Sequence, residues 1–285
     1  VAFLWEKGKE PQVLYGKPLA DREEGEEVPL IAFGGGFFTE DGKGLVFANA
    51  IFQDTYGLGY LAFDSPEEVV EVAFADLAHS GMGEFDGLER LENGRYLLEF
   101  NIDGVSWAYE AEYEAEQKVM RALNVLVGKG HLSEGVLEAI KYDPGSDTFA
   151  LAFSTAVSPT QIYTIEGKDR DRIVQHTRES ILGIPQELLS RGEDLSYTSF
   201  DGLRVSSRLY MPSPELGFEG KRPVVYYLHG GPQGQERPDF SWFSMPLIQF
   251  LTLQGFAVFV PNVRGSTGYG LSYTKHVDRD WGGQD

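Results

Sequence analysis

The run Val224-Val225-Tyr226-Tyr227-Leu228-His229-Gly230-Gly231-Pro232 decides how this chain is read. Five residues of strand character empty into a glycine-rich turn. A second run of the same kind follows: Ala257-Val258-Phe259-Val260-Pro261-Asn262-Val263-Arg264-Gly265-Ser266-Thr267-Gly268-Tyr269-Gly270. Val224–Leu228 and Phe256–Val260 are continuous apolar runs, as expected of strands covered on both faces. Between them, Phe240–Gln254 has helical spacing, with Trp242, Met245, Ile248 and Leu251 on one face. Gly255 fits the stop of that helix. Strand, helix, strand predicts a right-handed parallel crossover.

Upstream, Leu195–Pro212 carries Asp201-Gly202 between two alternating runs, the signature of a hairpin. Met211–Arg222 is a polar loop. Glu179–Arg191 reads as a short helix or an irregular crossing, interrupted at Pro185.

The N-terminal two-thirds repeats. Thr39–Ala48, Leu91–Asn101 and Tyr142–Ser154 each open on a turn with Gly beside Asp, Asn or Pro. Each continues into an apolar strand. Phe47, Phe100 and Phe153 fall 53 residues apart. Asn-Gly and Asp-Gly supply the positive φ that tight hairpins need. Further strand-like runs follow each of them: Leu58–Phe63 and Val69–Phe74, then Val105–Tyr113 and Lys118–Leu126, then Gln161–Glu166 and Arg172–His176. With the strand before each turn, this makes four strands per unit, the content of a propeller blade. Glu110–Val127 also has helix-forming composition, but its alternation favours strands. A β-sandwich with coincidental spacing is the competing reading. Closing a propeller takes about four to eight blades, and about three are legible. The start, Val1-Ala2-Phe3-Leu4-Trp5, reads as the middle of a strand, so the chain is expected to begin inside a larger protein.

Composition narrows the function classes. Hydrophobic residues make up 42% of the 285, enough for a core. The 19 Phe and 14 Tyr favour strands. There is no Cys, which fits a reducing compartment and excludes thiolate metal sites. A cytoplasmic location is expected. No apolar run reaches the roughly 18–20 residues of a membrane span. Residues 196–285 carry eight acidic and eight basic side chains, so the whole net charge of −20 falls on residues 1–195. That sign disfavours nucleic acid as a partner. It reads as a solvated surface, or as a field that attracts cationic substrates such as peptide amino termini.

The turn after Leu228 has chemical meaning. Acyl transfer builds an oxyanion, and one preorganised backbone N–H donor lowers that barrier by a few kcal/mol. Gly230 and Gly231 are the candidate donors, since glycine lets the backbone approach a substrate. Pro232 fixes the exit and cannot donate. A plain glycine turn is the alternative. His229, Arg264 and Tyr269 are candidate substrate contacts. His229 also reads as a packed or hydrogen-bonded strand-end histidine, and Arg264 as an anchor for its own loop. Ser266 is a turn residue, because no Gly-x-Ser-x-Gly elbow occurs in the sequence. The five histidines show no metal-ligand spacing.

His229–Pro232, Pro261–Gly270 and Asp280-Trp281-Gly282-Gly283 together resemble the prolyl oligopeptidase family of serine peptidases. The nearest group is that of the acylaminoacyl peptidases and dipeptidyl peptidases. The resemblance is specific over residues 195–285 and architectural over 1–178. It implies a multi-domain chain: a partial β-propeller of all-β blades (1–178), a linker (179–194), and the N-terminal part of an α/β-hydrolase domain (195–285). It implies a backbone oxyanion donor near Gly231, and a tyrosine in some relatives where this chain has His229. It implies a Ser-His-Asp triad acting through an acyl-enzyme, with all three members expected beyond Asp285, so this chain alone is expected to be inactive. No metal or organic cofactor is implied.

A short peptide is the expected substrate. A second copy, or the remainder of a longer protein, is an expected partner. The dipeptidyl branch uses paired glutamates on its propeller. Glu23-Glu24, Glu26-Glu27 and Glu67-Glu68 are adjacent pairs here, but they read as solvated loops. An esterase with a β-rich accessory domain, or a non-catalytic peptide-binding propeller on a degenerate hydrolase, are the rival functions.

Overall fold

The computed structural model describes residues 1–26, 28, 31–231, 233–240 and 243–283. Glu27, Pro232, Trp242 and Asp285, each named above, lie outside the described residues. The chain opens on a two-stranded antiparallel ribbon, β1 (Ala2–Leu4) with β2 (Gln12–Tyr15).

Eight strands then form one sheet: β3 (Gly36–Phe38), β4 (Gly44–Asn49), β5 (Gly57–Ala62), β6 (Val69–Ala75), β7 (Gly83–Arg90), β8 (Tyr96–Ile102), β9 (Val105–Glu114) and β10 (Val119–Val127). Their order is β3-β4-β5-β6-β10-β9-β8-β7, two four-stranded meanders joined where β6 and β10 pair in parallel. A third meander follows alone, in the order β11 (Gly135–Asp143), β12 (Thr148–Thr155), β13 (Ser158–Glu166), β14 (Arg172–Gln175). Glu110–Val127 is thus a strand pair.

The repeated turns share one chemistry. Asp41 accepts the Lys43 amide at 3.1 Å. Asn93 accepts the Arg95 amide at 3.0 Å. Asp143 accepts the Ser146 amide at 3.0 Å. In each, a short polar side chain caps the turn that sends the next strand back. The repeated Phe47, Phe100 and Phe153 lie on β4, β8 and β12, the second strand of each meander, and all three are buried.

Beyond the meanders, Glu179–Arg191 is irregular except for a 3-10 turn at Gln186–Leu188. Asp201-Gly202 closes a hairpin of β16 (Tyr197–Thr198) with β17 (Arg204–Val205). A four-stranded sheet runs in the order β15 (Glu193–Asp194), β18 (Ser207–Tyr210), β20 (Ala257–Pro261), β19 (Val224–Tyr226). β15 therefore forms from residues expected in the linker. β18 is antiparallel to β20, and β19 is parallel to it.

The helix between β19 and β20 is α1 (Ser244–Leu253), shorter than the expected Phe240–Gln254. Its end is a Schellman motif: the Gly255 amide bonds the Thr252 carbonyl at 3.0 Å and the Phe256 amide the Leu251 carbonyl at 3.1 Å. Met245 and Ile248 of α1 pack with Tyr210, Val258, Val260, Phe240 and Ala156 into one core. A last short helix, α2 (Leu271–Lys275), follows the second glycine turn.

One expectation fails in detail. Val224–Leu228 reads as a strand buried on both faces, yet Val224, Tyr226 and Leu228 are exposed. Among the described residues, β19 is the edge of its sheet and pairs only with β20. An apolar run earns burial only from neighbours on its open side and faces. β20, with neighbours on both edges, is buried as expected.

The chain divides into two compact units: Val1–Leu77 with Phe85–Glu99 and Glu110–Leu123, and Ala78–Glu84 with Phe100–Tyr109 and Asn124–Asp285. In the first, Val46, Phe47, Leu58, Leu61, Leu97, Leu98 and Met120 are buried. Among the described residues, no helix is long and apolar enough to cross a membrane.

Candidate functional site

The two glycine turns come together in the second unit because β19 and β20 are parallel neighbours and both turns leave the same end of that pair. Gly230 and Gly231 are exposed. Gly231 has φ 140°, and nothing lies within contact of a Cβ built on Gly230. Among the described residues, neither glycine donates its amide to a protein group.

His229 joins the turns. Its Nε2 is 2.9 Å from Ser266 Oγ, and its Nδ1 lies 3.2 Å from the Gly230 carbonyl. Ser266 is fully buried and donates its hydroxyl proton to the Val263 carbonyl at 2.6 Å. Its oxygen is then left to accept from an Nε2–H. Thr267 adds a backbone bond to the Gly234 carbonyl at 2.9 Å.

Asn262 makes the second brace. It leaves the end of β20, where its side chain faces the first turn. Its Oδ1 accepts the Glu236 amide at 2.8 Å and its Nδ2 donates to the Glu236 carbonyl at 3.1 Å. The same Nδ2 reaches the Tyr269 hydroxyl at 2.8 Å. Tyr273 donates its hydroxyl to the Asn262 carbonyl at 2.7 Å.

Glu236 is 5% exposed, and Ser244, the first residue of α1, donates its hydroxyl to it. Burial pushes this carboxyl up to about 7, against the Ser244 bond that lowers it; the charge of Asp239 adds to the rise. The protonated and ionised forms are therefore both accessible near neutrality.

Glu84 braces the far side of the second turn. Its carboxylate accepts the Gly268 amide at 3.1 Å and the Gly270 amide at 2.9 Å. Gly268, at φ 93°, has no room for a side chain: an added Cβ would lie 2.5 Å from Gln235 Nε2 and 2.8 Å from Asn101 Nδ2. Asn101 in turn donates to Gln235 at 2.6 Å.

The three candidate substrate contacts take different places. His229 is half-buried between the turns. Arg264 is 3% exposed and holds Ser199 at 3.0 Å and Asp201 at 2.7 Å, with its guanidinium over the Phe200 ring. It clamps the β16–β17 hairpin. Tyr269 is buried; its hydroxyl engages Ser206, Gln235 and Asn262, and burial pushes the phenol up. Among the described residues, no group of three or more His, Asp or Glu is placed to hold a metal ion.

The sequence reading did not anticipate Glu84, Glu236 or Asn262. Asn262 had a local signal, since it follows the strand directly. Glu236 sits in a polar stretch and Glu84 lies far upstream, so neither had one.

Glycine turns braced at the head of a parallel strand pair, after four-stranded meanders, define a propeller-bearing α/β-hydrolase architecture. The sequence profile of the prolyl oligopeptidase family matches residues 241–285. A peptidase of Bacillus subtilis, YuxL, described as uncharacterized, is 26% identical over 159 residues, 54% of this chain and 22% of that one. A probable dipeptidyl-peptidase 5 of Aspergillus terreus is 36% identical over 92 residues, 32% of this chain and 12% of that one. A solved puromycin-hydrolyzing peptidase of Mycobacterium tuberculosis superposes with a TM-score of 0.66 at 18% identity, covering 98% of this chain and 39% of that one. The last likeness shows the fold. The chain thus spans well under half the length of the proteins it matches.

Proposed function

We propose that the full-length protein is a serine peptidase that hydrolyses short peptides through an acyl-enzyme, with a propeller restricting access. One observation carries this reading. The exposed Gly230 and Gly231 amides have no described acceptor, and they follow His229, which is tied to the buried Ser266. Unspent backbone donors are what a developing oxyanion requires. The match of residues 241–285 to the prolyl oligopeptidase profile supports the chemistry.

In this reading Gly230 and Gly231 are the oxyanion donors. His229 sets their turn and borders the substrate. Arg264 and Tyr269 act behind the site, as supports for the second turn. The proposed partition is propeller over 1–178, linker over 179–194 and hydrolase over 195–285. The meanders ending at Gln175 and the irregular crossing after them support it. The lack of cysteine agrees with a cytoplasmic location.

The full-length protein is expected to turn over aminoacyl nitroanilides and to be labelled by a fluorophosphonate. The 285-residue chain is expected to resist labelling. Turnover of short acyl esters alone would replace the peptidase reading with an esterase, and labelling of this chain would overturn its proposed inactivity.

A further inference from the structure

The first unit holds a cavity of about 410 Å³ between the β3–β4, β7–β8 and β9–β10 turns. Its walls include the rings of Tyr60, Tyr96 and Tyr113, the carboxylates of Asp41 and Glu112, and Lys118. We propose that this cavity binds an organic cation, a primary ammonium on an alkyl chain. The proposal does not depend on the peptidase reading.

The rings suit a cation. Aromatic faces carry partial negative charge and attract ammonium groups within about 6 Å of the centroid. One ammonium is already seated in this way: Lys118 Nζ lies 4.2 Å from the Tyr60 ring centroid. It also donates to the Ala115 carbonyl at 2.6 Å. The chain's own lysine is thus an internal example of the ligand.

The cavity wall also holds an unspent acceptor. The Tyr113 hydroxyl is buried and has no hydrogen-bond partner among the described residues. Burial, with Tyr60, Tyr96 and Asp41 nearby, pushes this phenol up to about 12, so it stays un-ionised with its oxygen free to accept. Leaving such a group unpaired is destabilising, and an incoming N–H would relieve it.

Charge favours the same ligand. Asp41 is already engaged by Thr39 and the Lys43 amide, and the wall carboxylate Glu40 pairs with Arg90 at 3.2 Å. Glu112 makes no hydrogen bond or ion pair with a described residue. With Arg90 set against Glu40 and the Lys118 ammonium offsetting one of the two remaining wall carboxylates, one negative charge is left for an incoming cation. An anion would meet the opposite field.

The test uses the intact chain, n-butylammonium as probe and n-butanol as its neutral counterpart, followed by tyrosine ring-proton NMR shifts. The cation is expected to bind at low salt, to weaken as salt rises, and to bind better than the alcohol. Lys118→Met removes the resident ammonium and is expected to tighten n-butylammonium by about threefold or more. Glu112→Gln, at an exposed position, is expected to weaken it by about threefold. Equal binding of alcohol and cation would overturn the proposal, as would a Lys118→Met chain that stays folded and binds the cation no better.

Discussion

His229 Nε2 stands 2.9 Å from Ser266 Oγ, so the side chain that opens one glycine turn is held by a buried hydroxyl of the other. Because Ser266 gives its proton to Val263, the imidazole is the donor in that pair. Ser266→Ala is expected to cost about 1–2 kcal/mol of stability through lost buried hydrogen bonds. On the proposed peptidase reading, the same change in the full-length protein is expected to lower kcat about tenfold with a smaller change in KM, because the proposed donors lose position rather than substrate affinity. Thermal unfolding and nitroanilide kinetics check both. An unchanged kcat would show that the turn needs no brace.

Glu236 gives a pH dependence with a definite sign. Its folded-state value of about 7 lies above the ordinary 4.5, so folding favours the protonated form. Its stabilising contribution is complete below about 4.5 and fades as pH rises to about 7. The loss amounts to a few kcal/mol in order of magnitude. Glu236→Gln keeps an acceptor for Ser244 and cannot ionise. Denaturant unfolding is expected to show a flatter profile across this window for the variant, and higher stability than the parent at pH 8. Parallel profiles would exclude Glu236 as the titrating group.

Arg264 and Asp201 are expected to act as one unit, 2.7 Å apart with the guanidinium buried. Arg264→Met is expected to cost about 3 kcal/mol, since it strips a buried hydrogen-bonding group from its partners. Asp201→Asn alone should cost less. A double-mutant cycle is expected to show a coupling of about 1 kcal/mol or more. Additive losses would mean that Arg264 does not anchor the hairpin.

Glu84 takes two amides of the second glycine turn, and Gly268 leaves no space beside Gln235. Glu84→Ala is expected to destabilise the chain by about 2–3 kcal/mol by stranding those amides. Gly268→Ala adds strain at positive φ and an overlap, and is expected to be at least as damaging. Chemical denaturation of both variants tests this; a neutral Gly268→Ala would show that the turn yields.

Legibility followed the range of the interactions. The Asp41, Asn93 and Asp143 turns are closed by side chains two or three residues from the amides they cap, so the meanders could be read from short windows. The end of α1 was equally local, a Gly255 Schellman turn. The exposure of Val224, Tyr226 and Leu228 was not legible, because a strand's place in its sheet is fixed by partners elsewhere in the chain. The candidate site divides in the same way. Its glycines announce themselves, while the inward direction of Arg264, the buried Glu236 and the reach of Glu84 to Gly268 depend on contacts that no spacing encodes.

The parallel register of β6 with β10 has a kinetic consequence. Ala73–Ala75 meet Val119–Arg121 only after a whole intervening meander has been laid down, whereas the neighbouring antiparallel strands need only a hairpin. Loop closure of that length costs more entropy than any turn in the sheet. Hairpins are expected to form early and the seam to zip last. Substitutions at the seam should then speed unfolding while leaving the folding rate nearly untouched.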